Sequence, residues 1–221
     1  MSKRKARRLK SEIIKDIHVS LTELRDKRFV RDEMGLSIKD TGSTGCEISF
    51  EGKSDINNIM YDIHMSTASI MDKLLREQQY TVLLYDKSIV QAEFIIQNGE
   101  IAKERLLFLK KHNKIWKLEE INVADAEDRD WFDNEEGIPI CIRIDYDPEN
   151  HVECDHAATH LTLSNNEKCR IPIQNVITFS EFIRFILLHF YGEKLDIPQY
   201  RIEQDNTITE LERKMIHIGW K

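Results

Sequence analysis

The sequence predicts an α+β domain: an antiparallel, meander-rich sheet with helices packed on one face, plus an N-terminal amphipathic helix. Three observations predict it. Apolar residues recur at spacings of three and four near both ends of the chain, the period falls to two through the middle, and short polar turns join the alternating segments.

Ala6, Leu9, Ile13, Ile17, Leu21 and Leu24 form one stripe of a helix from about Lys3 to Lys27. Its basic residues crowd its beginning, the unfavourable end for the helix dipole, so they are expected to serve a partner. The stretch from Gly35 to Gly45 reads as a loop, and Gly42-Ser-Thr-Gly45 lacks the Gly-Lys-Ser/Thr of a phosphate loop. Asp55 is expected to cap a second helix whose stripe runs through Ile56, Ile59, Met60, Ile63, Thr67, Ile70, Met71 and Leu74. Strands are predicted at 80–85, 88–96 and 100–110, with Gln97-Asn98-Gly99 as a hairpin turn. An acidic stretch from Glu119 to Glu136 follows, with Trp131 and Phe132 as anchors. Ile138, Ile140, Ile142, Ile144 and Tyr146 then alternate with polar positions in a strand that ends at Asp147-Pro148. Two more strands are expected at 159–163 and 169–173, with Ser164-Asn165-Asn166 between them. Thr178-Phe-Ser-Glu181 is a capping box for a helix stopped by Gly192, and Thr207-Ile-Thr-Glu210 opens a shorter last helix.

The 221 residues suit a basic helical arm over 1–32 and a single α+β domain over 46–221. With 41% hydrophobic residues the chain has material for a core, which excludes wholesale disorder; no apolar run is long enough to span a bilayer. Cys46, Cys141, Cys154 and Cys169 form no close pair, and the basic start lacks a signal-peptide apolar region. Both point to reduced thiols in a cytoplasmic protein. The net charge of −7 hides an asymmetry, because residues 1–32 carry 11 basic and 5 acidic side chains. Lys3, Arg4, Lys5, Arg7, Arg8 and Lys10 are the candidate contacts for nucleic acid or for an acidic protein. The alternative is that the arm folds back on its own acidic body.

Alternation also places candidate chemistry. Arg143 and Asp145 share the polar face of their strand, His160 and Thr162 that of the next, and Arg170 that of the third. If these strands are neighbours, Arg143, Asp145, His160 and Arg170 converge, with His156 and His151 at the rim. Two guanidiniums can grip a phosphate, and an aspartate can orient a histidine that moves protons. The competing reading is a solvated sheet face with ordinary cross-strand pairs. His151, Cys154, Asp155, His156, His160 and Cys169 are of metal-ligand type, but their spacing fits no zinc framework, and neither metal nor cofactor is expected. His64-Met-Ser66 and His160-Leu-Thr162 mimic a two-histidine phosphoesterase, which is rejected because His64 falls in the second helix. Asp86, Glu93 and Lys103 match the residue types of a restriction-type nuclease without its spacing.

Ile144-Asp-Tyr-Asp-Pro148, His156-Ala-Ala-Thr-His160-Leu-Thr-Leu163, Cys169-Arg-Ile-Pro172 and Phe182-Ile-Arg-Phe-Ile186 together carry a resemblance. Over roughly residues 80–191 the chain resembles a bacterial family of unknown function, domain-of-unknown-function family twenty-two ninety. The family pattern falls on Asp145, Asp147, His156, His160 and Arg170. The resemblance implies no established activity; small orphan families of this kind suggest toxin–antitoxin or anti-phage systems. Two functions are therefore expected. One is a binding or assembly subunit that meets a protein partner from the same operon through its basic helix. The other is a nuclease- or phosphoesterase-like effector using His160, His156 and Asp145 with Arg143 and Arg170. In the first, removing residues 1–27 is expected to abolish association and leave the body folded.

Overall fold

The long central hairpin organises everything else. In a computed structural model, residues 2–54, 65–111, 139–164, 168–198, 200, 202, 204 and 206–219 are described. Strands β5 (Ile89–Gln97) and β6 (Glu100–Lys110) pair from Ile89↔Leu109 to Gln97↔Glu100. Asn98 and Gly99 make the two-residue turn, both at positive φ (54° and 85°), the conformation that an Asn-Gly pair favours. On one side of the hairpin lie β7 (Ile140–Tyr146), β8 (Thr159–Leu163) and β9 (Arg170–Pro172) in sequence order. On the other side, β5 is shared. Its first half pairs with β4 (Val82–Leu84), which pairs in turn with β1 (Val30–Glu33). Its second half pairs with β3 (Cys46–Phe50), which carries β2 (Leu36–Asp40). Every pairing between these strands is antiparallel, as the meander-like sequence predicts.

Helices α1 (Ser2–Asp26) and α3 (Phe179–Tyr191) cover one face of this sheet. Leu9, Ile13, Ile17, Leu21 and Leu24 of α1 join Val90, Phe94, Leu106, Phe108, Ile144, Phe182 and Ile186 in the main core. The N-terminal helix is therefore no loose arm, because its apolar stripe is a wall of the domain. It ends in a Schellman motif, with Phe29 N–H bonded to Leu24 O (2.8 Å), Arg28 N–H to Arg25 O (2.9 Å), and Arg28 left-handed at φ 61°. Gly99 packs beneath its first turns: a Cβ there would lie 3.0 Å from Lys5 Cβ and 3.1 Å from Ala6 N. Gly99→Ala is therefore expected to press the hairpin off α1 and to cost about 1–3 kcal/mol, measured by denaturant unfolding.

Helix α2 (Thr67–Arg76) lies on the other face, where Ile70, Met71 and Leu74 meet Leu83, Ile89, Leu107 and Cys141. It starts behind its own cap, Ser66, whose hydroxyl accepts the Ser69 amide (3.1 Å). The expected cap at Asp55 and the stripe from Ile56 to Ile63, with His64, lie outside the described residues, as do the acidic stretch 119–136, Trp131, Phe132, Ile138 and Asn165-Asn166.

Two local expectations are corrected. The 35–45 stretch is not all loop: Leu36 to Asp40 pair in register with Phe50 to Cys46. The glycine signal belongs to the turn after it, where Thr41 N–H meets Gly45 O (3.0 Å) and a Cβ at Gly45 would lie 2.6 Å from Thr41 Oγ1. The last helix is only a 3-10 turn, Glu212–Lys214. Its capping box is Thr209/Glu212, while Thr207 Oγ1 bonds the Gln174 carbonyl (3.1 Å) and Thr159 Oγ1 (2.6 Å). Thr207 is thus used to tie the C-terminal segment to the sheet.

Candidate functional site

Cross-strand register builds a polar row on the α2 face of the sheet. Glu93 on β5 faces Arg105 on β6, Arg105 faces Asp145 on β7, and Asp145 faces His160 on β8. One step along, Arg143 faces Thr162, and Thr162 faces Arg170 on β9. The predicted neighbourhood of the three C-terminal strands is therefore present. Asp145 is its centre: Oδ1 accepts Arg105 Nε–H at 2.9 Å, and Oδ2 accepts Arg143 Nε–H. Burial pushes the Asp145 carboxyl up, but Arg143 and Arg105 together outweigh it and hold the group below its ordinary range.

His160 stands differently from the predicted acid–base role. Its Nδ1 is 2.9 Å from the Ala157 carbonyl, and its Nε2 is 3.8 Å from Asp145 Oδ2, beyond hydrogen-bond reach. Asp145 therefore does not orient it. Burial, more than the opposing pull of Asp145, lowers its pKa to about 4, so the ring is neutral at pH 7. His156 lies half-buried with its ring centroid 4.7 Å from that of His160, edge to face. Its loop folds back through Val152 N–H to His156 O (2.9 Å), and Glu212 pins it by meeting His151 Nε2 (3.1 Å) and the Cys154 amide (3.3 Å).

The face is not open to water. His160, Asp145 and Arg143 are 2%, 6% and 7% exposed. Arg170 is half-buried at the end of the row, beside Thr162, with no hydrogen bond at Nε. Among the described residues no group of three or more His, Cys, Asp or Glu side chains is arranged to hold a metal. Arg105 and Glu212 were missed in the sequence. Alternation along β6 would have found Arg105, two positions from Leu107 on the same face. Glu212 had no signal, since its role depends on where the C-terminal turn lands.

A titration of the His160 ring by NMR is expected to show it neutral down to about pH 4. Between the ordinary histidine value of about 6.5 and 4, the unfolded chain binds the proton first, so this group lowers stability as pH falls.

The second candidate surface is the first turns of α1. Lys3, Arg4, Lys5, Arg7 and Arg8 are exposed and Lys10 half-buried. Lys5 pairs with Glu100 (3.1 Å), Arg8 with Glu12 (2.8 Å) and Lys10 with Asp40 (2.6 Å). Lys3, Arg4 and Arg7 make no ion pair among the described residues. No acidic residue occupies the first turn.

Together these features define an α+β protein on one antiparallel sheet, with an internal arginine–carboxylate row on one face and a cationic helix end across the other. The chain belongs to the DUF2290 family of uncharacterised conserved proteins, which it matches over residues 30–220. That span starts after α1, so the cationic helix lies outside the matched region. No curated protein and no solved structure matches the chain. No helix among the described residues is long and apolar enough to cross a membrane.

Proposed function

We propose that the protein is a binding and assembly subunit of a bacterial multi-component system, of the toxin–antitoxin or anti-phage kind. It works in the cytoplasm and engages an acidic protein from the same operon through the first turns of α1. The observation that carries this reading is the exposed set Lys3, Arg4 and Arg7, which makes no ion pair among the described residues, on a helix whose other side is locked into the core. Cations at a helix N-terminus oppose the dipole and weaken the isolated helix. A rigidly mounted patch of this kind loses little entropy when it meets a carboxylate-rich surface, and charge complementarity then sets partner choice.

The effector reading rests on the same row that places His160 near Asp145. A general base must reach its substrate and hold a proton near the working pH. His160 is enclosed and its pKa is near 4, and both carboxylate oxygens of Asp145 are taken by arginines. The row is better suited to fixing strand register than to turning over a phosphate. Capture of partners from the native host by tagged protein tests the proposal. A stoichiometric acidic protein from an adjacent gene supports it; nucleic acid alone moves the weight to the effector, and His160→Ala becomes the decisive variant.

A further inference from the structure

Strands β1, β9 and β2 lie at the margins of the sheet, and they are finished differently. The β1 ladder is irregular between Val30 and Asp32, and this strand carries Arg31, Asp32 and Glu33. The C-terminal segment covers the margin beyond β9: the Gln174 amide donates to Ile218 O (3.0 Å), and the Ile218 amide to Pro172 O (2.8 Å). Bulges, charges and covering segments are the usual means of keeping a sheet edge from pairing with another chain. β2 keeps an unbroken register with β3, and among the described residues no segment covers its far side.

The pairing fixes which groups are free. Gly35 O accepts the Glu51 amide (2.7 Å) and the Thr41 amide donates to Gly45 O (3.0 Å), so the odd-numbered residues between them bond β3. The N–H and C=O groups of Leu36, Ile38 and Asp40 therefore point away from β3. Ile38, at the middle of the strand, is 41% exposed and shares the face of Ile48, which lies in the main core. The opposite face carries Ser37, Lys39 and Gly35. The Glu51 carboxylate folds over Gly35, where a Cβ would lie 2.7 Å from Glu51 Cδ. Lys39 and Glu51 are both exposed, and neither makes an ion pair among the described residues.

A second copy of this edge, run antiparallel, matches these features in one register. With a twofold axis at Ser37, Leu36 of each copy exchanges both backbone bonds with Ile38 of the other. The same register sets Leu36 against Ile38 on the core-facing side. On the other side it lays Lys39 of each copy over Gly35 of its mate, beside the Glu51 carboxylate. An axis at Lys39 would instead bring the two Lys39 ammoniums together, and one at Ile38 would set Leu36 against Asp40. We propose that β2 pairs with β2 of a second copy, making a homodimer with one continuous sheet and two Lys39–Glu51 pairs across the axis. The surface uses none of Lys3, Arg4 and Arg7 and does not rest on the assembly reading.

Sedimentation of the full chain over a concentration series at about 0.15 M salt tests the proposal. The wild type is expected to pass from monomer to dimer in the micromolar range. Ile38→Pro removes a donor that β3 does not use, so it is expected to keep the β2–β3 ladder and weaken the dimer at least about tenfold. Lys39→Glu is expected to weaken it about tenfold, and Lys39→Glu/Glu51→Lys to bring it back to within about threefold of wild type. Both charge variants alter exposed side chains, and melting temperatures near the wild-type value verify their folding. A wild-type chain that stays monomeric up to about 1 mM, a dimer that Ile38→Pro leaves unchanged, or a charge swap that restores nothing would each overturn it.

Discussion

Removing residues 1–27 is expected to unfold the domain, not to free a tail from it. Leu9, Ile13, Ile17, Leu21 and Leu24 are each at most 8% exposed and sit in the main core. At about 1.5–3 kcal/mol for each fully buried aliphatic side chain, their loss removes roughly 7–15 kcal/mol, an upper bound because the unfolded chain already buries some of this area. A domain of this size has about 5–15 kcal/mol of net stability in total. The truncated chain should lack a cooperative thermal transition and bind a hydrophobic dye. A sharp melt within a few degrees of the intact protein would show that the α1 stripe is dispensable. This reverses the expectation drawn from charge alone, in which the basic segment was separable from the body. Loss of partner binding on truncation is therefore no evidence about the cationic face, and surface substitutions must carry that test.

Asp145→Asn is expected to be the most damaging conservative change on the sheet. Asp145 neutralises two arginines on adjoining strands, Arg105 across the ladder and Arg143 on its own strand, all of them largely enclosed. Breaking a buried pair on one side leaves uncompensated charge and costs about 3–5 kcal/mol. Here two guanidiniums would lose the carboxylate they share. Because the folded Asp145 carboxyl lies below its ordinary range, its contribution is present above the unfolded value near 3.8 and is lost as pH falls through the lower folded value. The variant should therefore lose stability at pH 7 and show a shallower acid limb than the wild type. Denaturant melts at pH 7 and across the acid range measure both. Equal stability of the two chains at pH 7 would mean that the row contributes nothing as an ion-pair network.

How far the sequence reached can be judged at particular residues. The capping box Thr178/Glu181 and the left-handed Gly192 appear where the residues placed them, because both signals are local and chemical. The Asn98-Gly99 turn and the alternation of Ile140 to Tyr146 were legible for the same reason. The convergence of Arg143, Asp145 and His160 followed from alternation once β7 and β8 proved to be neighbours. What was not legible was depth. Alternation separates two faces of a strand but cannot say whether the polar one meets water, and here it holds the charges of Asp145 and Arg143 at 6% and 7% exposure. It also could not bring Arg105 to Asp145, which requires the β6–β7 register, or place Asp16 against Ser180, 164 residues away in the chain. The helix dipole argument marked the basic residues of α1 as meant for a partner, but it was silent on how firmly the opposite stripe is held.

Lys3, Arg4 and Arg7 are the proposed partner-binding surface, on a helix docked into the core. The most direct measurement compares wild type with Lys3→Gln/Arg4→Gln/Arg7→Gln in capture of the acidic partner from the native host across a salt series. All three side chains are exposed, so the melting temperature should not change. The account predicts a stoichiometric partner on wild type, weakened by salt, and binding about tenfold or more weaker on the variant at moderate salt. A partner held equally by both proteins, with the same salt dependence, would contradict it.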